Sequence, residues 1–251
     1  MPADGFAEDR EAALAPLLLK LRARDLIDPV EEQVLRDSIS TVRELPPGKV
    51  IVRDRSVLSE SILLFEGFAC RYKDLSDGQR QIMELHVAGD FVDLHGFLLK
   101  QLDHNVGSMT RVRLAFVPHE ALRHITETHP HLARILWFST LIDSAIHREK
   151  ILSIGRRSAQ GRIAHLICEL FARLQIVGLG DEDGYVLPLT QGDIADATGL
   201  TSVHVNRMLR RLRDEGLCTF RGGRVTIHDW ERLQRVAEFD PAYLHLERRP
   251  R

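Results

Sequence analysis

The stretch from Leu189 to Gly216, "LTQGDIADATGLTSVHVNRMLRRLRDEG", leaves the backbone little choice. Thr190 stands where its hydroxyl caps a helix whose first turn carries Asp193. Gly199 supplies the backbone freedom of a sharp turn, and Thr201 can cap a second helix. Counting Gln191 as the first position, Ala195 is fifth, Gly199 ninth and Val205 fifteenth. Two helices that cross closely around a tight turn need a small residue at the crossing, a glycine in the turn and a β-branched apolar residue to seat the second helix. This stretch meets all three demands. Ile194, Leu200, Met208 and Leu212 supply further apolar positions for the same core.

Charge gives this helix pair a direction. The whole chain of 251 residues has a formal net charge of −2, so a surface for nucleic acid must be a local patch. Between Thr201 and Arg224 lie six arginines (207, 210, 211, 213, 221 and 224) against Asp214 and Glu215, a local balance of +4. The outward positions of the second helix are Ser202, Val203, His204, Asn206 and Arg207. Arginine and asparagine are the side chains that reach guanine and adenine edges in the major groove. Thr201 and Ser202, and Thr190 and Gln191 on the first helix, stand at helix N-termini, which suit phosphate oxygens. Arg210 and Arg211 extend the basic face. "CTFRGGRVTIHD" follows: two short strands around Gly222-Gly223 form a hairpin wing, with Arg221 and Arg224 at its tip to meet phosphate. The alternative is a solvated arginine-rich helix, or a winged domain that docks on protein.

The rest of the chain changes texture twice. Residues 8–45 look helical, with Leu14, Leu17, Leu18 and Leu21 on one face and Pro29 opening a second segment. From Pro46-Pro47-Gly48 to Pro118 the segments are short, β-branched and punctuated by turns, of which Asp77-Gly78 reads as a tight hairpin. This pattern predicts an antiparallel barrel or sandwich. After Pro118 the helical period returns. Leu132, Ile135, Ser139, Ile142 and Ile146 step by three and four, which predicts a dimer seam; the alternative is a helix lying on its own domain. Gly155 interrupts this pattern, and Ser158 can cap the next helix, whose apolar face is Ile163, Leu166, Ile167, Leu170 and Leu174. The expected division is residues 1–118, helices plus the β-rich domain; 119–154, a dimerisation helix; and 155–251, the winged helix-turn-helix.

Cys70, Cys168 and Cys218 are few, odd in number and far apart, which argues against a disulfide framework or a cysteine-held cluster. No run approaches 18 apolar residues, and the acidic N-terminus lacks the pattern of a signal peptide. A cytoplasmic protein with reduced, buried thiols is expected.

A β-rich domain, a long interface helix and a C-terminal winged helix-turn-helix, in this order, resemble the Crp/Fnr family of bacterial transcription regulators. The resemblance covers roughly residues 30–230. It is strongest in "SAQGRIAHLICELFARL" and in the helix-turn-helix stretch, and it is visible in "VAGDFVDLHGFLL". It implies an α+β fold: a cupin-like jelly roll of the cyclic-nucleotide-binding kind, a dimerisation helix, and a homodimer on near-palindromic double-stranded DNA. RNA polymerase is the expected protein partner, and the effector is an unidentified small molecule; the alternative is a constitutive binder whose old pocket is filled by Leu94, Phe97 and Leu98. Arg207 matches the family's last recognition arginine, but Ser202-Val203 stands where cAMP-responsive members carry Arg-Glu, so a different half-site is expected. Aligned from Gly89-Asp90-Phe91, the pocket glutamate falls on Leu94 and the arginine-serine pair on His104-Asn105. Losing the guanidinium and its carboxylate predicts weak cAMP binding or none, unless a shifted register brings in Arg111 or Arg113.

Two other readings stay open. His95 matches the haem-ligating histidine of the family's CO sensor, which also uses an N-terminal proline, as at Pro2; its redox cysteine is Asp93 here. No resident cofactor is otherwise expected. The second is a metal-dependent cupin enzyme carrying a DNA-binding domain, with His86, Asp93 and His95 as the candidate metal ligands.

Overall fold

A computed structural model describes residues 3–249, and Pro2 lies outside the described residues. The chain forms two compact units. One comprises the residues up to Tyr72, Leu85–Ser144 and the chain from His245 on; the other comprises Lys73–Glu84 and Ala145–Leu244. Among the described residues no helix is long and apolar enough to cross a membrane.

The first unit begins with α1 (Ala3–Arg22) and α2 (Pro29–Ser38). Asp28 caps α2, accepting from the amides of Val30 and Glu31, while Glu31 returns a bond to the Asp28 amide. The jelly roll follows: β1 (Thr41–Leu45), β2 (Val50–Val52), β3 (Glu60–Glu66), β4 (Ala69–Asp74), β5 (Arg80–His86), β6 (Asp90–Phe91), β7 (Asn105–Ser108) and β8 (Val112–Pro118). One four-stranded sheet runs β1-β8-β3-β6 and the other β2-β7-β4-β5. Ile62, Leu64, Val106, Val112 and Leu114 fill the space between them. The leucine stripe of α1 is buried against the outer side of the roll with Leu63, Phe65 and Phe91. At Gly89, φ is +85° and a Cβ would lie 2.6 Å from the Pro16 carbonyl oxygen, so only glycine lets α1 lie this close. Lys20 pairs with Asp90 at the same contact.

Residues 41–45 depart from the helical expectation. They form β1, in antiparallel register with β8 from Thr41–Phe116 to Leu45–Val112. The β-branched Thr41 and Val42 suit that ladder, and pairing with a buried strand outweighs a weak helical pattern.

Beyond the roll lie α4 (His119–Thr128) and α5 (Pro130–Arg156). The expected single helix over 119–154 is therefore two, separated at His129, because the residue before Pro130 disfavours helical backbone. Gly155 does not end α5, which runs through it to Arg156; the new helix starts where the Ser158 hydroxyl accepts from the Gly161 amide. The expected dimer seam is also corrected. Leu132 and Ile135 belong to the core that holds the α1 leucines, and Ile142 and Ile146 are buried within the chain, with Ser139 half-buried. A second apolar stripe, Trp137, Leu141, Ile151 and Leu152, is exposed on the opposite side. Periodicity locates a stripe but cannot say which of two stripes faces the helix's own domain.

The second unit is built on α6 (Ala159–Ile176), whose predicted face of Ile163, Leu166, Ile167, Leu170 and Leu174 is buried. Around it lie β9 (Gly184–Val186), α7 (Gln191–Thr198), α8 (Ser202–Asp214), β10 (Cys218–Arg221), β11 (Arg224–Ile227) and α9 (Trp230–Ala237). The strands form a sheet in the order β10-β11-β9. All three cysteines are buried and unbridged, and burial pushes the Cys218 thiol up to about 12.

In the first unit, His131 of α5 meets Glu31 Oε1 at 2.6 Å and Asp25 Oδ2 at 3.5 Å. Burial disfavours the imidazolium, but the two carboxylates outweigh it and raise the pKa above the usual histidine value. The stabilisation is therefore fully present below about pH 6.5 and is lost as pH rises through the raised value. Thermal melts of wild type and His131→Gln are expected to differ most near pH 5.5 and to converge by pH 8.5. A gap that widens with pH would contradict this placement of the charge.

Candidate nucleic-acid interface and effector region

The turn between α7 and α8 rests on Gly199, at φ +65° and ψ +39°. Its amide and that of Leu200 both bond to the Ala195 carbonyl, closing the end of α7. Thr190 caps α7 in a box with Asp193, and the Thr201 hydroxyl accepts from the His204 amide to start α8. Val205, Met208 and Leu212 bury the inner face of α8. Ser202, Val203, Asn206, Arg207 and Arg210 are thereby turned outward, and Val203 is 82% exposed. His204 is half-buried. The Asn206 amide donates to Gln191 Oε1 at 3.2 Å, which holds both side chains at the mouth of the helix pair.

The arginines divide into two groups. Among the described residues, Arg207, Arg210 and Arg221 have no carboxylate within ion-pair distance. Arg211 pairs with Glu215 at 2.8 Å and Arg213 with Asp214 at 2.9 Å, both at the surface, where such pairs contribute little and exchange readily. Arg224, also at the surface, is paired twice. It meets Asp181 at 2.6 Å and Asp183 at 3.2 Å, and this pairing holds the Asp181 carboxyl below its ordinary range. In this structure Arg224 thus fastens the wing to the residues just before β9. Gly222 and Gly223, at φ +61° and +73°, make the two-residue hairpin as predicted. Between α7, α8 and the wing lies a cleft of about 520 Å³, lined by Gln191, Asn206, Arg210, Arg213, Thr219 and Arg221. A protruding helix beside a cleft with cationic walls matches a groove-inserted reader flanked by a phosphate track.

The comparisons agree in kind. Residues 161–236 match the Crp-like helix-turn-helix domain, and residues 42–129 match the cyclic nucleotide-binding domain. The transcriptional activator protein FnrL of Cereibacter sphaeroides is 26% identical over 84% of this chain and 86% of its own. The nitrogen fixation regulation protein FixK of Bradyrhizobium diazoefficiens is 27% identical over 76% of this chain and 79% of its own. The structure of FixK2 from Bradyrhizobium japonicum superposes with a TM-score of 0.72 at 25% identity, covering 79% of this chain and 97% of that one. The chain belongs to the Crp/Fnr family of DNA-binding transcription regulators.

In this regulator Leu94 and His95 line one cavity and His95 packs against His104, while Asn105 is tied elsewhere. Leu94 is buried in the core that holds α1. Asn105 lies in β7 opposite Tyr72, and its side-chain oxygen accepts from the Asp54 amide. His95 and His104 come together, with ring centroids 5.4 Å apart, and His104 Nδ1 lies 2.9 Å from Asp103. Arg111 makes two 2.6 Å bonds to Glu44, and Arg113 pairs with Asp9 and Glu66, so neither replaces the missing guanidinium. The three metal-ligand candidates also part. His86 is buried beside Asp90, and His95 begins α3 (Gly96–Leu99). Asp93 is buried, with Oδ1 accepting from the Ile62 amide at 2.6 Å, and burial raises its carboxyl to about 7. Among the described residues no cluster of three such side chains is placed to hold a metal ion.

Sequence reasoning missed Arg71. It is 2% exposed in β4, donates to the Val92 carbonyl at 2.8 Å, and pairs with Asp143 of α5 at 2.9 Å. Its one trace in the sequence is an arginine set inside the apolar run Phe68–Tyr72. Also missed was an apolar cavity of about 380 Å³ between α3, α4 and α5, whose floor is Leu94, Leu122 and Leu136 and whose rim includes His95, Leu98 and Trp137.

Alanine substitutions sort the arginines. Arg207→Ala is expected to erase discrimination between a selected site and random DNA. Arg221→Ala should weaken all sequences alike and lower the salt slope by about 1, whereas Arg224→Ala should leave that slope near wild type. A salt slope for Arg224→Ala as low as for Arg221→Ala would refute the division.

Proposed function

We propose that this regulator binds DNA as a homodimer, placing one α8 in each of two major-groove half-sites about 34 Å apart on a near-palindromic site. The observation that carries the reading is the outward face of α8, where, among the described residues, Arg207 and Arg210 stand without acidic partners beside the cleft. In it, Arg207 reads guanine, and Val203 meets a thymine methyl. Asn206 and His204 supply hydrogen bonds, and Thr201, Ser202, Thr190, Gln191, Arg210, Arg211 and Arg221 hold phosphate. Arg224 shapes the wing.

The dimer seam assigned here is the exposed stripe of α5, Trp137, Leu141, Ile151 and Leu152, in place of the buried one. Large apolar side chains repeating on one face of a long helix fit a second copy of the same helix across a two-fold axis. The relatives FnrL and FixK carry names of an activator and a regulator; on that basis we assign activation through RNA polymerase, in the cytoplasm. The β-roll serves as the sensor, and its effector is not cAMP, because Leu94, His104 and Asn105 offer neither the carboxylate nor the guanidinium that a cyclic ribose phosphate needs. Haem fits poorly as well. Among the described residues, the apolar cavity beside His95 is lined by no lysine or arginine to receive two propionates.

Two measurements test this reading. Sedimentation of wild type should give twice the chain mass, and Leu141→Asp combined with Ile151→Asp should give a folded monomer that no longer shifts promoter fragments. Wild type running as a monomer would contradict the seam. Calorimetry with cAMP should show no binding tighter than about 10 μM, or about −7 kcal/mol; tighter binding would overturn the pocket assignment.

A further inference from the structure

We infer that Lys150 is a positioning residue for sequence reading: with Gln81 and Arg162 it holds the last turn of α7, and so fixes the direction in which α8 leaves the Gly199 turn. The inference rests on the reading of α8 as the base-contacting helix and adds residues that touch no DNA. The last four carbonyls of an α-helix have no partner within the helix. In α7 they belong to Ala195, Asp196, Ala197 and Thr198. The Ala195 oxygen is satisfied locally, by the amides of Gly199 and Leu200. The other three, in succession, accept from three different elements. Gln81 Nε2 of β5 donates to Asp196 at 2.8 Å, Lys150 Nζ of α5 to Ala197 at 3.2 Å, and Arg162 Nη1 of α6 to Thr198 at 3.3 Å. All of these residues lie in the second unit.

This hold is stiffer than an ordinary helix end in water. Ala197 and Thr198 are 0% and 3% exposed, so their carbonyls depend on protein donors. Two of the donors are themselves fixed: Gln81 Nε2 also donates to the Ile82 carbonyl at 2.9 Å, and Arg162 Nε to the Arg157 carbonyl at 3.1 Å. The C-terminal end of a helix carries partial negative charge, which suits an ammonium and a guanidinium. Among the described residues no carboxylate lies within ion-pair distance of Lys150, so its charge is directed at this helix end. The hold also reaches the turn itself. A Cβ on Gly199 would lie 3.7 Å from Gln81 Oε1 and 3.8 Å from Arg162 Nη1. Removing the middle point frees α7 to tilt, and the turn carries that tilt into α8. Attraction to phosphate tolerates such a shift, whereas hydrogen bonds to base edges do not. The signature of Lys150 is therefore discrimination between sequences, not general affinity for DNA.

The full-length protein is titrated in gel shifts against a site selected by wild type and against random-sequence DNA of equal length, with Arg207→Ala in parallel. Lys150→Met keeps the length of the side chain and removes its donors. It should lower the ratio of the two affinities at least about fivefold, while the affinity for random DNA and its salt slope stay near wild type. Lys150→Arg, which restores a cationic donor, should return the ratio to near wild type. Gln81→Leu removes the neighbouring bond to Asp196 and should lower the ratio in the same direction, which keeps the test valid if Lys150→Met fails to fold. A wild-type ratio in both Lys150→Met and Gln81→Leu would overturn the inference. So would an equal loss of affinity for both DNAs, which marks a purely structural role, or a ratio for Lys150→Arg as low as for Lys150→Met. If Arg207→Ala loses discrimination while Lys150→Met keeps it, this inference fails alone; if Arg207→Ala keeps it, the reading of α8 fails as well.

Discussion

One left-handed residue fixes where the DNA-facing surface points. At φ +65° Gly199 adopts a conformation that costs a residue with a Cβ roughly 1–2 kcal/mol. That single turn ends α7, hands the chain to the Thr201 cap, and sets the angle at which α8 leaves. Val205, fully buried one turn into α8, then locks the rotation of the helix about its axis. Once angle and rotation are fixed, the outward positions follow without further choice, and Arg207 and Asn206 stand side by side on the open face. The outward face of α8 is thus a consequence of backbone geometry set several residues upstream of the side chains that it presents.

Charge pairing then decides what each cation can do. Arg207, Arg210 and Arg221 keep their charge available, and Arg224 gives its charge to Asp181 and Asp183. This division makes sense of an acidic chain that carries a basic reader. The wing needs a fastening to β9, and an arginine held by two carboxylates supplies it without adding to the field over the cleft. In the first unit the same economy appears at Arg71, where a buried guanidinium is satisfied by backbone carbonyls and by Asp143. A strand of the roll and the long helix α5 are joined there by the protein's own cation. Buried charges persist when their hydrogen-bonding capacity is filled.

Much of this was legible in the sequence, and the reasons for the rest are specific. The helix-turn-helix, its caps and the wing hairpin could be read because each depends on local chemistry: Thr190, Gly199, Thr201 and Gly222-Gly223 act on neighbours a few residues away. The strands β3, β4, β5 and β8 could be read for the same reason. The short β6 and β7 could not, since "DF" and "NVGS" carry no alternation and exist only through their partners. The seam on α5 was assigned to the wrong face because both faces are apolar, and the burial of Leu132 and Ile135 depends on α1, more than a hundred residues away. The pairing of Arg224 with Asp181 and Asp183, the burial of Arg71, and the cavity floored by Leu94 and Leu122 are likewise long-range facts. No spacing along the chain encodes them.

The central claim is that α8 enters the major groove and reads it through Arg207. Methylation protection at guanine N7, on a fragment selected by the purified protein from random-sequence DNA, tests this most directly. The account predicts two protected patches centred about 10 base pairs apart, lost with Arg207→Ala and retained with Arg224→Ala. Protection confined to the minor groove, or the same protected guanines with Arg207→Ala as with wild type, would contradict it.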